Sequence, residues 1–319
     1  MRGAPIRGAK FEAVNRTAAL GIAFAAIFAC AAAVCAADPL KITVGYGIGA
    51  EVLPVFVAKD RGYLDKHGLD VTLIAIAGPS NVPAALLSNS IQIGFNSPPS
   101  LLSAADNGLD LIIIAGNTRV VRGNETNTLV ARTGSGIHSA ADLKGKKVGV
   151  PGFGTGNDTM FRRWLTERNV SPDQLTIVEI PVAQMGDVLR GGTVDAVVVM
   201  EPVRSRIIAS GVGENAANFY TDVNPNSIST FWASTGAWAK AHPDGVRAYR
   251  AALAEAIDYI KKNPQDARDI ENKYLHFSSP RFPTYSLAIA PSDLQFYIDM
   301  ARQMKMINNP IDPAKLIAP

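Results

Sequence analysis

Between residues 194 and 200 the chain reads V-D-A-V-V-V-M, apolar at nearly every successive position. A strand with one wet face alternates polar and apolar residues, so this run belongs in a sheet covered on both sides. Runs of the same kind recur at 41–46, 71–77, 91–95, 111–115, 128–131, 147–150 and 175–180. Each is short, rich in Val and Ile, and bounded by Gly, Pro, Asn or Asp. Helix-length stretches lie between them, at 53–59, 84–88, 100–107, 159–168 and 184–190. Strands alternating with helices predict an α/β protein with mostly parallel sheets and flanking helices.

The last third reads differently. Val246, Tyr249, Leu253, Ala256, Ile257 and Ile260 recur at helical spacing between Pro243 and Pro264, which predicts one long amphipathic helix. Further helices are expected at 265–274 and 292–304. The polar positions around Glu255 to Tyr259 read as its solvated face.

The first 37 residues stand apart. Arg2, Arg7, Lys10 and Arg16 precede an uncharged, Ala-rich run from Ala18 to Ala37 that ends in small residues before Asp38-Pro39. A basic start, an apolar middle and a small-residue exit predict a secretory signal peptide over 1–37, cleaved near Ala36-Ala37. The competing expectation is a retained anchor, since 20 apolar residues can just cross a bilayer. Alanine is a weak hydrophobe, which favours removal. No twin arginine is present, so the general export route is expected. Cys30 and Cys35 lack a convincing lipobox. The sequence as a whole has 31 basic and 28 acidic residues; without the leader's four bases and one acid, 27 of each remain. The basic character therefore belongs to the leader, and nothing in the remainder calls for nucleic acid or a lipid surface.

Enzyme signals are sparse. Both cysteines lie in the leader, so a mature chain has no thiol chemistry, disulfide or thiolate metal site. His67, His138, His242 and His276 sit in separate turn-like contexts without metal-ligand spacing, and Gly134-Ser135-Gly136 is no nucleophile elbow. Neither a metal nor a cofactor is expected.

One loop carries a physical signature. The strand at 147–150 runs into P-G-F-G-T-G-N-D (151–158), followed by a helical pattern from Thr159. Glycines between a strand end and a helix start expose N–H groups beside a positive helix terminus, which suits an anion. The plain alternative is a tight turn capped by Asn157 or Asp158. Other polar groups stand at strand ends, where open α/β sheets place ligands: Ser80-Asn81, Asn96-Ser97, Arg119 and Glu201. Singly, each also reads as a turn or cap.

The order of these motifs resembles the solute-binding proteins of ABC importers in the nitrate, taurine and alkanesulfonate group. Their fold is shared with thiamine-pyrimidine precursor synthases. The matching text is P-V-F-V-A-K-D-R-G-Y-L-D-K-H-G-L-D-V after Leu53, A-L-L-S-N-S-I-Q-I-G-F (85–95), G-I-H-S-A-A-D-L-K-G-K-K-V-G-V (136–150), L-R-G-G-T-V-D-A-V-V-V-M-E-P (189–202) and A-H-P-D-G-V-R-A-Y (241–249). Asn89 to Gln92 depart from the family's glycine-acid pair.

The resemblance implies a bilobal type II periplasmic-binding-protein fold, two mixed, mostly parallel sheets joined by a two-segment hinge. Lobe one would hold 38–128 plus 233–319, and lobe two 129–232. Ligand would sit between them, touched by Tyr46, Gly47, Ser80, Asn81, Asn96, Ser97 and Arg119 from lobe one. Gly154, Thr155, Gly156, Asn157 and Glu201 would come from lobe two, with Trp232 at the second crossing. It further implies a periplasmic monomer without enzymatic activity that hands a small solute to a membrane permease. Arg119 and the glycine loop favour an organic anion such as a sulfonate or carboxylate, while Glu201 would suit an amine. The alternatives are a pyrimidine-precursor synthase of the same fold, although that family's cysteine-rich iron motif is missing, and an exported receptor that signals without transport.

Overall fold

Two separate sheets organise the chain. The computed structural model describes residues 38–319 together with Met1, Gly3 and Ala4, so the leader expected over 1–37 otherwise lies outside the described residues. Pro39–Pro319 forms one compact unit. Its strands, in chain order, are β1 (Leu40–Tyr46), β2 (Leu69–Ala75), β3 (Ile93–Asn96), β4 (Leu111–Arg119), β5 (Asn127–Arg132) and β6 (Lys147–Val150). They continue as β7 (Thr176–Glu179), β8 (Ala196–Met200), β9 (Gly213–Ala217), β10 (Ile228–Thr235) and β11 (Thr284–Tyr285).

The six-stranded sheet has the order β11-β4-β10-β3-β1-β2, and the five-stranded sheet the order β7-β6-β8-β5-β9. In each, a parallel part (β2, β1 and β3; β7, β6 and β8) continues into an antiparallel part. These two mixed sheets with flanking helices bear out the expected fold class. Every residue of β8 is buried, as its unbroken apolar run required. All six apolar positions predicted to form a helix face are buried in the helix Pro243–Lys262. That face packs in one core cluster with Phe56, Val57 and Trp232.

β9, β10 and β11 were not among the expected strands, and β10 matters most. Its sequence, I-S-T-F-W-A-S-T, carries hydroxyls where a buried strand would ordinarily carry methyls. Those hydroxyls are bonded inside the sheet: Ser229 Oγ lies 2.7 Å from Thr118 Oγ1, Asn117 Nδ2 donates to Thr230 Oγ1 at 3.1 Å, and Ser234 Oγ donates to the Gln92 carbonyl at 2.6 Å. Buried polar groups are tolerated when so paired.

The chain leaves the six-stranded sheet after β4 and returns at β10, so two segments link the sheets. They are tied to each other, Val120 N–H donating to the Ser227 carbonyl at 2.9 Å and Asn226 N–H to the Val120 carbonyl at 2.7 Å.

Candidate functional site

The carboxyl ends of the parallel strands in both sheets face a common cavity of about 300 Å³. From the six-stranded side come Gly47 and Ile48 after β1, Glu51, Phe95, Asn96 and Ser97 at the end of β3, and Ser229 and Thr230 at the start of β10. The five-stranded side contributes Asn127, Pro151, Thr155, Gly156, Asn157, Glu179, Val182, Met200 and Tyr220. Strand polarity explains the convergence: β1, β3, β6, β7 and β8 all end there, and β5 and β10, running antiparallel, begin there.

Of the residues singled out in the sequence, Gly47, Asn96, Ser97, Thr155, Gly156 and Asn157 line this cavity. The others do not. Tyr46 packs edge-on against Phe56, with ring centroids 4.9 Å apart. Ser80 and Asn81 are exposed, and the amide of Asn81 is spent on the Ala77 carbonyl at 2.6 Å. Arg119 is held by Asp293 at 2.8 Å and by the Asn226 carbonyl at 3.1 Å. Gly154 takes the left-handed backbone of a tight turn, at φ 69°. Trp232 is wholly buried against Phe95 and Tyr249, its indole N–H donating to Asn117 Oδ1 at 3.3 Å. It is a core residue of β10 rather than a ligand contact at a crossing.

Glu201 is likewise fully buried, but completely engaged. Its carboxylate accepts from Arg204 Nη1 at 3.1 Å, from Ser205 Oγ at 2.8 Å and from Ser205 N–H at 3.2 Å. Its backbone carbonyl accepts the Ala50 N–H at 2.9 Å, which ties β8 to the loop carrying Glu51.

The glycine loop also differs from expectation. Three of its N–H groups are bonded within the protein. Phe153 N–H donates to Glu179 Oε2 at 3.2 Å, Gly154 N–H to Asp158 Oδ2 at 2.9 Å, and Gly156 N–H to Ser97 Oγ at 3.0 Å. Gly156 has a steric role as well: a Cβ there would come within 2.5 Å of Tyr220 Oη and 3.2 Å of Ser97 Cβ. The turn permits close approach between the sheets, and three of the donors that suited an anion are used by the protein itself.

Sequence reasoning missed Glu51, the residue that sets the electrostatics. Only 4% exposed, it forms part of the cavity wall. Gly49 leaves it space, since a Cβ at that position would collide with Glu51 Oε2. Burial pushes its carboxyl up to about 7; its own backbone N–H and the side chain of Asn127 pull the other way, while Glu201 and Glu271 add to the rise. Across the cavity stands the exposed Glu179. Neither Lys, Arg nor His is among the residues lining the cavity. Three lining residues also hold buried polar atoms without hydrogen-bond partners: Asn96 Nδ2, Asn127 Oδ1 and Asn157 Oδ1. A signal for Glu51 did exist. It is the lone charge in G-I-G-A-E-V-L-P-V-F-V-A, directly after a strand end.

Residues 50–267 match the family model described as NMT1/THI5 like. A Brucella abortus (strain 2308) protein, provisionally named as a binding protein, is 29% identical over 259 residues, which is 78% of this chain and 76% of the relative. The alkanesulfonate-binding protein SsuA from Xanthomonas axonopodis pv. citri, solved with MOPS bound, superposes with a TM-score of 0.76 at 18% identity, covering 88% of this chain and 99% of that one. The periplasmic nitrate-binding protein NrtA from Synechocystis PCC 6803 gives 0.74 at 16% identity, over 88% of this chain and 86% of that one. At such identities the likeness speaks for the fold.

Proposed function

The chain belongs to the NMT1/THI5-like family, and from that premise we propose that it is an extracytoplasmic solute-binding protein serving an ABC permease. The observation that carries the reading is a single cavity walled by strand ends of both sheets, with two hydrogen-bonded crossing segments behind it. We take 38–126 plus 228–319 as one lobe and 127–227 as the other, moving both expected boundaries so that β5 and β10 each stay whole in one sheet, with the crossings serving as hinge. A solute touching both walls favours the closed arrangement by its differential contacts, and the permease reads that arrangement. Placement in the periplasm, as a monomer, follows from the same reading and from the leader. Among the described residues no helix is long and apolar enough to cross a membrane.

Binding without catalysis fits the groups present. Ser97 Oγ receives the Gly156 N–H, and Thr155 Oγ1 donates to the Gly152 carbonyl at 2.8 Å. Neither is paired with the base that covalent catalysis requires. The contact set is Gly47, Asn96, Ser97, Thr155, Gly156 and Asn157, joined by Glu51, Asn127 and Tyr220. The organic-anion preference loses part of its support, because Arg119 is engaged elsewhere and three of the loop N–H donors are occupied.

Mass spectrometry of ligand carried through purification tests the reading directly. Resupplied at a hundred times its dissociation constant, a true ligand adds about 2.7 kcal/mol of stability. A pyridoxal chromophore in the purified protein would instead mark the enzyme of the same fold.

A further inference from the structure

The lining of the cavity specifies a charge type as well as a volume. Three kinds of acceptor remain open around it: the carboxyl of Glu51, Asn127 Oδ1 and Asn157 Oδ1. Among the buried side-chain donors of the lining Asn96 Nδ2 remains open, its orientation fixed because Asn96 Oδ1 already accepts the Ser97 N–H at 2.8 Å. An unpartnered buried polar atom is costly, so a ligand that supplies the missing partner recovers that cost at each position. An anion supplies acceptors to a wall already rich in them. It would also place a negative charge beside Glu51 and Glu179, with no lining cation to offset it. A protonated nitrogen supplies both the donors and the counter-charge. The remaining wall combines apolar side chains, including Ile48, Phe95 and Met200, with the hydroxyls of Ser97, Thr155, Tyr220, Ser229 and Thr230.

Resting on the solute-binding reading above, we propose that the ligand is a small organic cation, an amine or amidinium on an apolar body, with its charged nitrogen held by Glu51 and Asn127. Glycine at position 49 is part of the device, since any side chain there would displace the carboxyl. Glu201 is excluded from this role because Arg204 and Ser205 already occupy it.

Because burial raises Glu51 to about 7, cation binding weakens as the solution is acidified and the carboxyl takes up a proton. The other ionisable groups that bear on Glu51 are Glu201, Glu271, Tyr220 and Tyr285, with Glu179 on the opposite wall. Burial raises Glu271 as well, so the acid side of the profile belongs to a set of carboxyls led by Glu51.

Isothermal titration of the purified full chain at pH 8 compares benzylamine and benzamidine with benzoate and phenylmethanesulfonate. Cations binding at least tenfold more tightly than the anions supports the assignment. Anions binding equally or better overturns the charge type and leaves the solute-binding reading standing. Binding by none of the four overturns both. Glu51→Gln should weaken benzylamine tenfold or more while its melting temperature at pH 8 stays at or above that of the parent. Glu179→Gln, at the exposed rim, should weaken it less than threefold. Unchanged affinity in E51Q removes Glu51 from the site. Acidification from pH 8 to 5.5 should weaken benzylamine more than tenfold in the parent and less than threefold in E51Q; equal pH dependence in the two proteins overturns the role of Glu51.

Discussion

Two buried carboxyls on opposite sides of the cavity handle their polarity in opposite ways. On the five-stranded side Glu201 is entirely buried and fully bonded, and the loop at 151–158 directs three N–H groups onto oxygens of the protein. Glu51, on the six-stranded side, is almost as deeply buried and has no cationic partner, and orphaned amide atoms lie on both walls, Asn96 Nδ2 on its own and Asn127 Oδ1 and Asn157 Oδ1 opposite. Removing charge from water without compensation is costly, so an uncompensated carboxyl persists where a later partner supplies the compensation. The carboxyl that stood at a marked strand end is self-sufficient, and the one without a motif is the incomplete one.

Substitutions test that contrast. Glu201→Ala should give the largest effect, a loss of about 3–5 kcal/mol in urea denaturation, because it strands the mostly buried Arg204. Loss of less than 1 kcal/mol would make the two carboxyls equivalent and end the comparison. Glu51 should reveal itself through pH. The folded chain keeps its proton to about 7, against an ordinary value of 4.5, so between those values the folded state binds more protons and stability falls as pH rises. The contribution is fully present below pH 4.5 and amounts to about 3 kcal/mol lost by pH 8. E51Q should flatten that part of the parent's stability profile; parallel profiles would count against it.

Gly156→Ala probes the contact between the walls. Its Cβ meets Tyr220 Oη, so a cost of about 2 kcal/mol is expected, partly recovered in the double variant with Tyr220→Phe. No recovery would place the strain elsewhere. Ser97→Ala removes the acceptor of the Gly156 N–H and should cost about 1 kcal/mol by thermal denaturation. An unchanged melting temperature would mean that this bond across the cavity contributes nothing to stability.

Legibility in the sequence followed physical range. β8 and the helix Pro243–Lys262 were readable because burial on both faces, or on one helical face, prints a local period. β10 was not, because its Ser and Thr residues are paid for by hydroxyl and carbonyl partners on other strands. The strand-end rule found Asn96, Ser97 and the loop 155–157, all of which reach the cavity. It also picked out Arg119 and Glu201, whose charges are spent on Asp293 and on Arg204. Arg119 and Asp293 lie 174 positions apart, and Ser97 and Gly156 lie 59 apart. Such pairings leave no trace in a local window. Glu51 was overlooked for the converse reason, since its importance comes from the partner it lacks.

The route of the chain has a mechanical consequence. β1 and the segment around Ile317 both join the six-stranded sheet, the latter through its bridge to Ile113, while the five-stranded sheet is strung between β4 and β10. Tension applied at residues 40 and 317 therefore runs through the six-stranded sheet alone and bypasses the other until β10 or β4 tears free. In an optical trap, the six-stranded sheet should rupture first and the shielded sheet second, giving two ordered steps.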